Sequence, residues 1–227
     1  MTEPTISPSV PPAGYPVLLE LEPCLENRNR LTVAFRIILA IPQLLLVGGP
    51  GVGFVFAGWG VSRGGSGFFS AGSSGVLGAV AGVCAFIAWF AILFTSKHPR
   101  GLWDLTHFYM RWHVKASAYC ALFRDEYPPF GDGEYPVRFE VEYPEIPRNK
   151  LSVGLRIFYL IPHYILLAVL GIAWFVTTVV AWFAILFTGN YPPGLYDFGF
   201  KVWRWQVRVE AYGFLMRDEY PPFSLEA

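Results

Sequence analysis

The sequence predicts an all-α integral membrane protein with four transmembrane helices, arranged as two tandem helical hairpins. Each hairpin is expected to carry a short cytoplasmic strand and an amphipathic interfacial helix. Three observations lead there. Hydrophobic residues make up 54% of the 227-residue chain, and the mean hydropathy is +0.41, above that of soluble globular chains. The stretch Leu151–Thr188 contains one charged residue, Arg156. One spanning helix needs about 20 apolar residues, so a run nearly twice that length reads as two short crossings, reversing at Leu170–Gly171 where a glycine permits a tight turn. The third observation is a duplication that covers most of the chain.

The duplication runs without a gap through Tyr15-Pro16-Val17 and Tyr135-Pro136-Val137, Arg30–Val33 and Lys150–Val153, and Arg36…Ile41-Pro42 and Arg156…Ile161-Pro162. After an extra segment in the first copy it resumes at Ala88–Thr95 and Ala181–Thr188. Both copies close on Arg-Asp-Glu-Tyr-Pro-Pro-Phe, at Arg124–Phe130 and Arg217–Phe223. The chain therefore divides into a polar, proline-rich tail (1–14) that reads as disordered, a first repeat (15–130) with a glycine-rich insertion (48–75), a linker (131–134), a second repeat (135–223) and a short tail (224–227).

Each repeat opens on alternating apolar and charged residues, clearest in Val137–Glu142, as on a half-buried strand, and two such strands could pair. An apolar helix follows (about Leu31–Val47 and Leu151–Leu170), with an arginine near its start and a proline, Pro42 or Pro162, that favours a kink. Second apolar helices are expected at about Val76–Phe94 and Ile172–Phe187. Beyond them Gly101-Leu102-Trp103-Asp104 and Gly194-Leu195-Tyr196-Asp197 open amphipathic helices. Their basic faces carry Arg111 and Lys115, or Lys201, Arg204 and Arg208. Trp112 and Trp205 lie on the apolar faces, a pattern suited to the headgroup plane, where Trp103, Trp112, Trp203 and Trp205 would anchor them. Basic residues cluster after each pair of crossings, and Arg63 stands alone on the other side. That asymmetry places the protein in the plasma (inner) membrane as a multi-pass chain with both termini cytoplasmic.

Arg36 and Arg156 are the sharpest candidates for binding, because an arginine in an apolar helix marks a functional site unless it snorkels to the surface. His163 answers Gln43 in the first repeat, which favours a hydrogen-bonding role over proton relay. The carboxylates of Asp125-Glu126 and Asp218-Glu219 read as a turn that salt-bridges to the basic helix. No catalytic constellation, metal set, cofactor motif or nucleic-acid signature is present, and seventeen basic residues balance seventeen acidic ones. Three cysteines imply no disulfide framework.

The motifs Arg-x-x-x-x-Ile-Pro, Phe-Ala-Ile-Leu-Phe-Thr, Pro-x-Gly-Leu, Arg-Trp (Arg111-Trp112, Arg204-Trp205) and Asp-Glu-Tyr-Pro-Pro-Phe resemble the bacterial membrane family numbered 4389 among the domains of unknown function. The resemblance spans about Tyr15 to Phe223 and implies a bacterial membrane protein. It brings no activity to carry over. The expected role is a non-enzymatic scaffold or accessory subunit that docks a protein partner or anionic lipid at the cytoplasmic face. Its binding residues would be Arg36, Arg156, Arg111, Lys115, Lys201, Arg204, Arg208, Trp112 and Trp205. Its partners would be membrane lipids, a larger membrane complex or further copies of itself. The alternative is a small oligomeric transport or lipid-handling protein.

Overall fold

The computed structural model describes residues 15–50 and 75–225. The expectations for the 1–14 tail, for most of the 48–75 insertion and for the last two residues of the 224–227 tail lie outside the described residues. Within them the protein is mostly helical, with strands β1 (Leu18–Leu21) and β2 (Val137–Glu140) and helices α1 (Arg30–Ala34), α2 (Arg36–Val47), α3 (Val76–Thr95), α4 (Arg100–Cys120), α5 (Lys150–Thr188) and α6 (Pro193–Gly213).

The helix starts are local chemistry. Asn29 and Asn149 stand at the N-caps of α1 and α5, and their side-chain oxygens accept from the amides two and three residues on. The prolines Pro42 and Pro162 lie inside α2 and α5.

The expected reversal at Leu170–Gly171 is overturned: α5 is one continuous helix of 39 residues. Its buried residues explain why. Val153, Arg156, Leu160, His163, Leu167, Gly171, Trp174, Thr178, Ala181 and Ile185 follow one another at spacings of three and four, a single stripe along the whole element. Gly171 occupies a place in that stripe, where a small residue allows close packing, and no backbone turn is needed. Helices α1, α2 and α3 together repeat the same stripe. Val33, Arg36, Ala40, Gln43 and Val47 match Val153 to Leu167 at an offset of 120, and Gly78, Ala81, Ala85, Ala88 and Ile92 match Gly171 to Ile185 at an offset of 93. Residues 48 and 75 both correspond to Ala168, and a side chain on Gly75 would collide with the backbone of Leu46 and Gly48. The insertion thus leaves and rejoins one point in the middle of a helix that is uninterrupted in the second repeat.

Helices α4 and α6 are also placed differently from expectation. They do not lie on the surface: each packs against its long helix, and they meet one another in the interior, where the buried Trp203 donates from Nε1 to Ser117 Oγ at 2.9 Å. Trp103, Trp203 and Trp205 are buried, and Trp112 is half-buried. The Trp/Tyr faces that suggested membrane anchoring cover the long helices instead, because packing aromatic area against a protein surface removes it from water just as a headgroup layer would.

The repeats are related by a pseudo-twofold axis that runs between Leu19 and Phe139, equivalent residues facing each other in the antiparallel β1–β2 pair. Reciprocal bonds follow from it. Trp182 Nε1 donates to the Val33 carbonyl and Trp89 Nε1 to the Val153 carbonyl, both at 2.8 Å. The amide of Arg28 bonds the Gly189 carbonyl, and that of Arg148 the Ser96 carbonyl. The start of each long helix therefore touches the end of the other. Between those ends they part: Val47 packs on α4, α4 meets α6, and Leu167 packs on α6. Two straight rods cannot touch at both ends and separate in the middle, so the long helices bow around the inner pair. Among the described residues two helices, α3 and α5, are long and apolar enough to cross a membrane.

Candidate functional site

The residues that carry charge into the fold form two equivalent knots. In the first, Asp125 accepts from Arg28 Nε and Arg28 Nη2 at 2.8 and 2.7 Å, from Arg36 Nη2 at 2.6 Å and from the Asn29 amide at 3.0 Å. Arg28 also donates to the carbonyls of Cys24 and Leu122, while Arg36 donates to those of Tyr119 and Arg124. In the second, Asp218 meets Arg156 Nη2 at 2.6 Å and Arg148 Nε at 2.8 Å, and these arginines bond the carbonyls of Tyr212 and Leu215. Arg36 and Arg156 each stack 4.2 Å over a tyrosine ring, Tyr119 and Tyr212.

The local sequence makes these knots necessary. Just past the ends of α4 and α6, Leu122 and Leu215 both have left-handed backbone (φ 65° and 63°), which is strained for a residue with a branched side chain. A helix C-terminus leaves carbonyls without partners and a partial negative charge, and the guanidinium groups satisfy both. Burial alone would raise the Asp125 pKa, but hydrogen bonding and charge from Arg28, with the Asn29 amide and Arg36, outweigh it and hold the carboxyl below its usual range. The expected turn that salt-bridges is present. Its partners are the arginines before and inside the long helix, in place of the basic face of the amphipathic helix.

Gln43 and His163 do the same work in the two repeats. Trp112 Nε1 donates to Gln43 Oε1 at 2.7 Å, and Trp205 Nε1 to His163 Nδ1 at 3.2 Å. Phe223, from the Pro-Pro-Phe turn, lies parallel to the His163 ring at 4.0 Å. On the axis the symmetry breaks: buried His113 places Nδ1 2.7 Å from the Val47 carbonyl and Nε2 3.4 Å from the Glu210 carboxylate, where the second repeat has Gln206 and the first has Ser117. Both ring nitrogens face acceptors, the arrangement of an imidazolium paired with a carboxylate.

The expected binding residues are distributed unevenly. Arg36 and Arg156 are buried in the knots. Arg111 and Lys115 converge on Asp132 at 2.9 and 3.6 Å, and Lys115 also donates to the Gly133 carbonyl, so the 131–134 linker is a counter-ion segment. Lys201 pairs with Asp197 at 2.9 Å. Arg204 donates to the Leu225 carbonyl at 2.9 Å, while Arg208 is buried and has no hydrogen bond or ion pair among the described residues. Burial, and then the like charge of Arg204, press the Arg208 pKa down to about 10.

Arg28, Asp125, Asp218, Asp132 and the His113–Glu210 pair were not singled out as binding residues by the sequence. For the knots a signal existed: Arg28-Asn29 and Arg148-Asn149 recur at the repeat offset, an arginine followed by a helix-capping asparagine.

This is a duplicated helical protein of pseudo-twofold design, with long helices that are apolar on their outer faces and buried polar knots set into a largely aromatic and aliphatic core. Residues 68–131 and 150–224 match the family described as a domain of unknown function (DUF4389), and the chain belongs to that family as two tandem copies. The first match starts inside the insertion, so α1 and α2 join the first copy through the repeat and the shared stripe. The comparisons with curated proteins and with solved structures found no match.

Proposed function

We propose that the protein is a non-enzymatic scaffold embedded in the plasma membrane, which holds anionic lipid or a protein partner at its cytoplasmic face. One observation carries this reading: apolar residues point outward along the entire length of the long helices, while the polar groups turn inward and largely satisfy one another. Leu151, Phe158, Ile165, Val169, Ile172, Val176, Val180 and Phe187 are all exposed on α5, and Ile37, Ile38, Leu45, Val76, Val83 and Phe94 on the matching helices. In water such a surface would aggregate.

The length of α5 sets its posture. A 39-residue helix is about 58 Å long, against a hydrocarbon thickness of about 30 Å, so burying all of it upright is impossible. Immersing the whole element requires a tilt of about 60°, beyond the usual range for spanning helices. The bowed pair therefore lies lengthwise in the membrane. Arg28, Arg30, Lys97, Arg100, Arg148 and Lys150 gather at the helix ends, which favours all four ends, and both termini, on the cytoplasmic side.

Single cysteines placed at Phe130, Leu225 or Gly65 in a cysteine-free chain test the orientation. A membrane-impermeant thiol reagent added to intact cells is expected to spare Phe130→Cys and Leu225→Cys and to modify Gly65→Cys. Modification at position 130 from outside would refute the cytoplasmic placement.

A further inference from the structure

The inference concerns α6, and it rests on the membrane reading above by naming where and what the protein binds. In the first repeat Arg111 and Lys115, one turn apart on α4, are neutralised by Asp132. The equivalent cations in the second repeat are Arg204 and Arg208, and the residue equivalent to Asp132 is Leu225. Leu225 follows the same course as Asp132, since its backbone carbonyl receives Arg204 Nη2, but it brings no negative charge. Two guanidinium groups are left side by side. Arg208 is 6% exposed, and among the described residues its buried Nη1 has no hydrogen-bond partner and Arg204 Nε has none either. A desolvated cation beside a second cation is strongly unfavourable unless an anion completes the group.

We propose that Arg204 and Arg208 form an anion site for a phosphate-bearing group, which takes the place that the Asp132 carboxylate fills in the first repeat. The first repeat carries its own anion; the second is built to accept one. Guanidinium pairs suit phosphate because their planar donor forks match its oxygens. Phosphate oxyanions reach such a site either as a lipid headgroup or as free phosphate, and the chemistry is shared. The site also explains an asymmetry that the duplication would otherwise erase: one ligand is expected per chain.

Full-length protein, delipidated and returned to phosphatidylcholine nanodiscs with or without a minority of phosphatidic acid, is examined by native mass spectrometry, with inorganic phosphate as a parallel probe. One bound phosphate-bearing molecule per chain is expected. Phosphatidic acid retained where inorganic phosphate is not assigns the headgroup; retention of inorganic phosphate alone assigns the free ion. Leu225→Asp restores the missing carboxylate without touching the arginines and is expected to weaken retention at least about tenfold, as the loss of a charge-assisted contact should. The reciprocal Asp132→Leu is expected to open a second site and raise the count to two. Glu226→Gln is expected to leave retention unchanged. No retention by the wild type, retention unmoved by Leu225→Asp, or a gain with Glu226→Gln, which would make the chain's own carboxylate the occupant, would each overturn the site. None of these results bears on whether the long helices lie in the membrane, which the cysteine labelling reads separately.

Discussion

Replacing Asp125 by Asn tests the arginine knots, because it keeps the shape of the side chain and removes its charge. Four donors converge on Asp125, two from Arg28, one from Arg36 and one from the Asn29 amide, and its side chain is 16% exposed. Removing one partner of a buried ion pair costs about 3–5 kcal/mol, and partial exposure brings the expectation for Asp125→Asn to about 3 kcal/mol. Asp218 is 29% exposed and among the described residues meets only Arg148 and Arg156, so Asp218→Asn should cost less, about 2 kcal/mol. For a chain of this size these figures correspond to about 6–12 °C and about 4–8 °C in the melting temperature. Near-ultraviolet circular dichroism in one fixed detergent measures both. The pH dependence carries a definite sign: the folded pKa of Asp125 lies below its unfolded value, so its contribution is complete above the unfolded value near 4 and is lost as pH falls through the folded one. Melting of Asp125→Asn within about 1 °C of the wild type, or a larger loss for Asp218→Asn, would refute the reasoning.

Three further outcomes follow from the same structure. Burial depresses the pKa of His98 from 6.5 to about 4, so the unfolded chain takes up a proton that the folded one refuses, and stability falls as pH drops from about 6.5 towards 4. His98→Tyr, which copies Tyr191 of the second repeat, should remove that loss, about 3 kcal/mol by pH 4, read as a flatter melting-temperature profile against pH. His163→Gln should cost under about 1 kcal/mol, because Gln43 already accepts from the equivalent tryptophan, whereas His163→Leu strands Trp205 Nε1 and should cost about 1–3 kcal/mol in the same melt. Deleting residues 49–75, so that Gly48 precedes Val76, should restore in the first repeat the uninterrupted helix of the second; far-ultraviolet circular dichroism showing lost helix would contradict that.

The duplication, the strands, the N-terminal bounds of the long helices and the apolar exterior were all legible, because each depends on periodicity or on local chemistry. The β1–β2 pair was anticipated from alternation alone. What misled was length. A run of 38 residues with one charge fits two membrane crossings by hydropathy, which measures how apolar a segment is and says nothing of its direction. The correcting signal was the positions of the less apolar residues: Arg156, His163, Gly171, Trp174 and Thr178 fall on one helical stripe that passes straight through the supposed turn. The amphipathic helices illustrate a second limit. Their aromatic faces identify what must be buried, but a membrane interface and the concave side of two bowed helices offer the same shelter. The uncompensated charge of Arg208 was invisible because it depends on a residue, Leu225, seventeen positions away that matters only for the carboxylate it lacks.

The continuity of α5 through Gly171 is the claim on which the rest depends, and a pulsed electron–electron double-resonance distance between spin labels at Leu155 and Phe183 tests it in lipid. Both positions are exposed, so labelling leaves the buried stripe intact. A continuous helix at about 1.5 Å per residue separates them by about 42 Å, shortened by a few ångströms where the helix bows. A distribution centred near 40 Å is the expected result, and one centred near the 10 Å spacing of packed neighbouring helices would mean a hairpin and contradict the account.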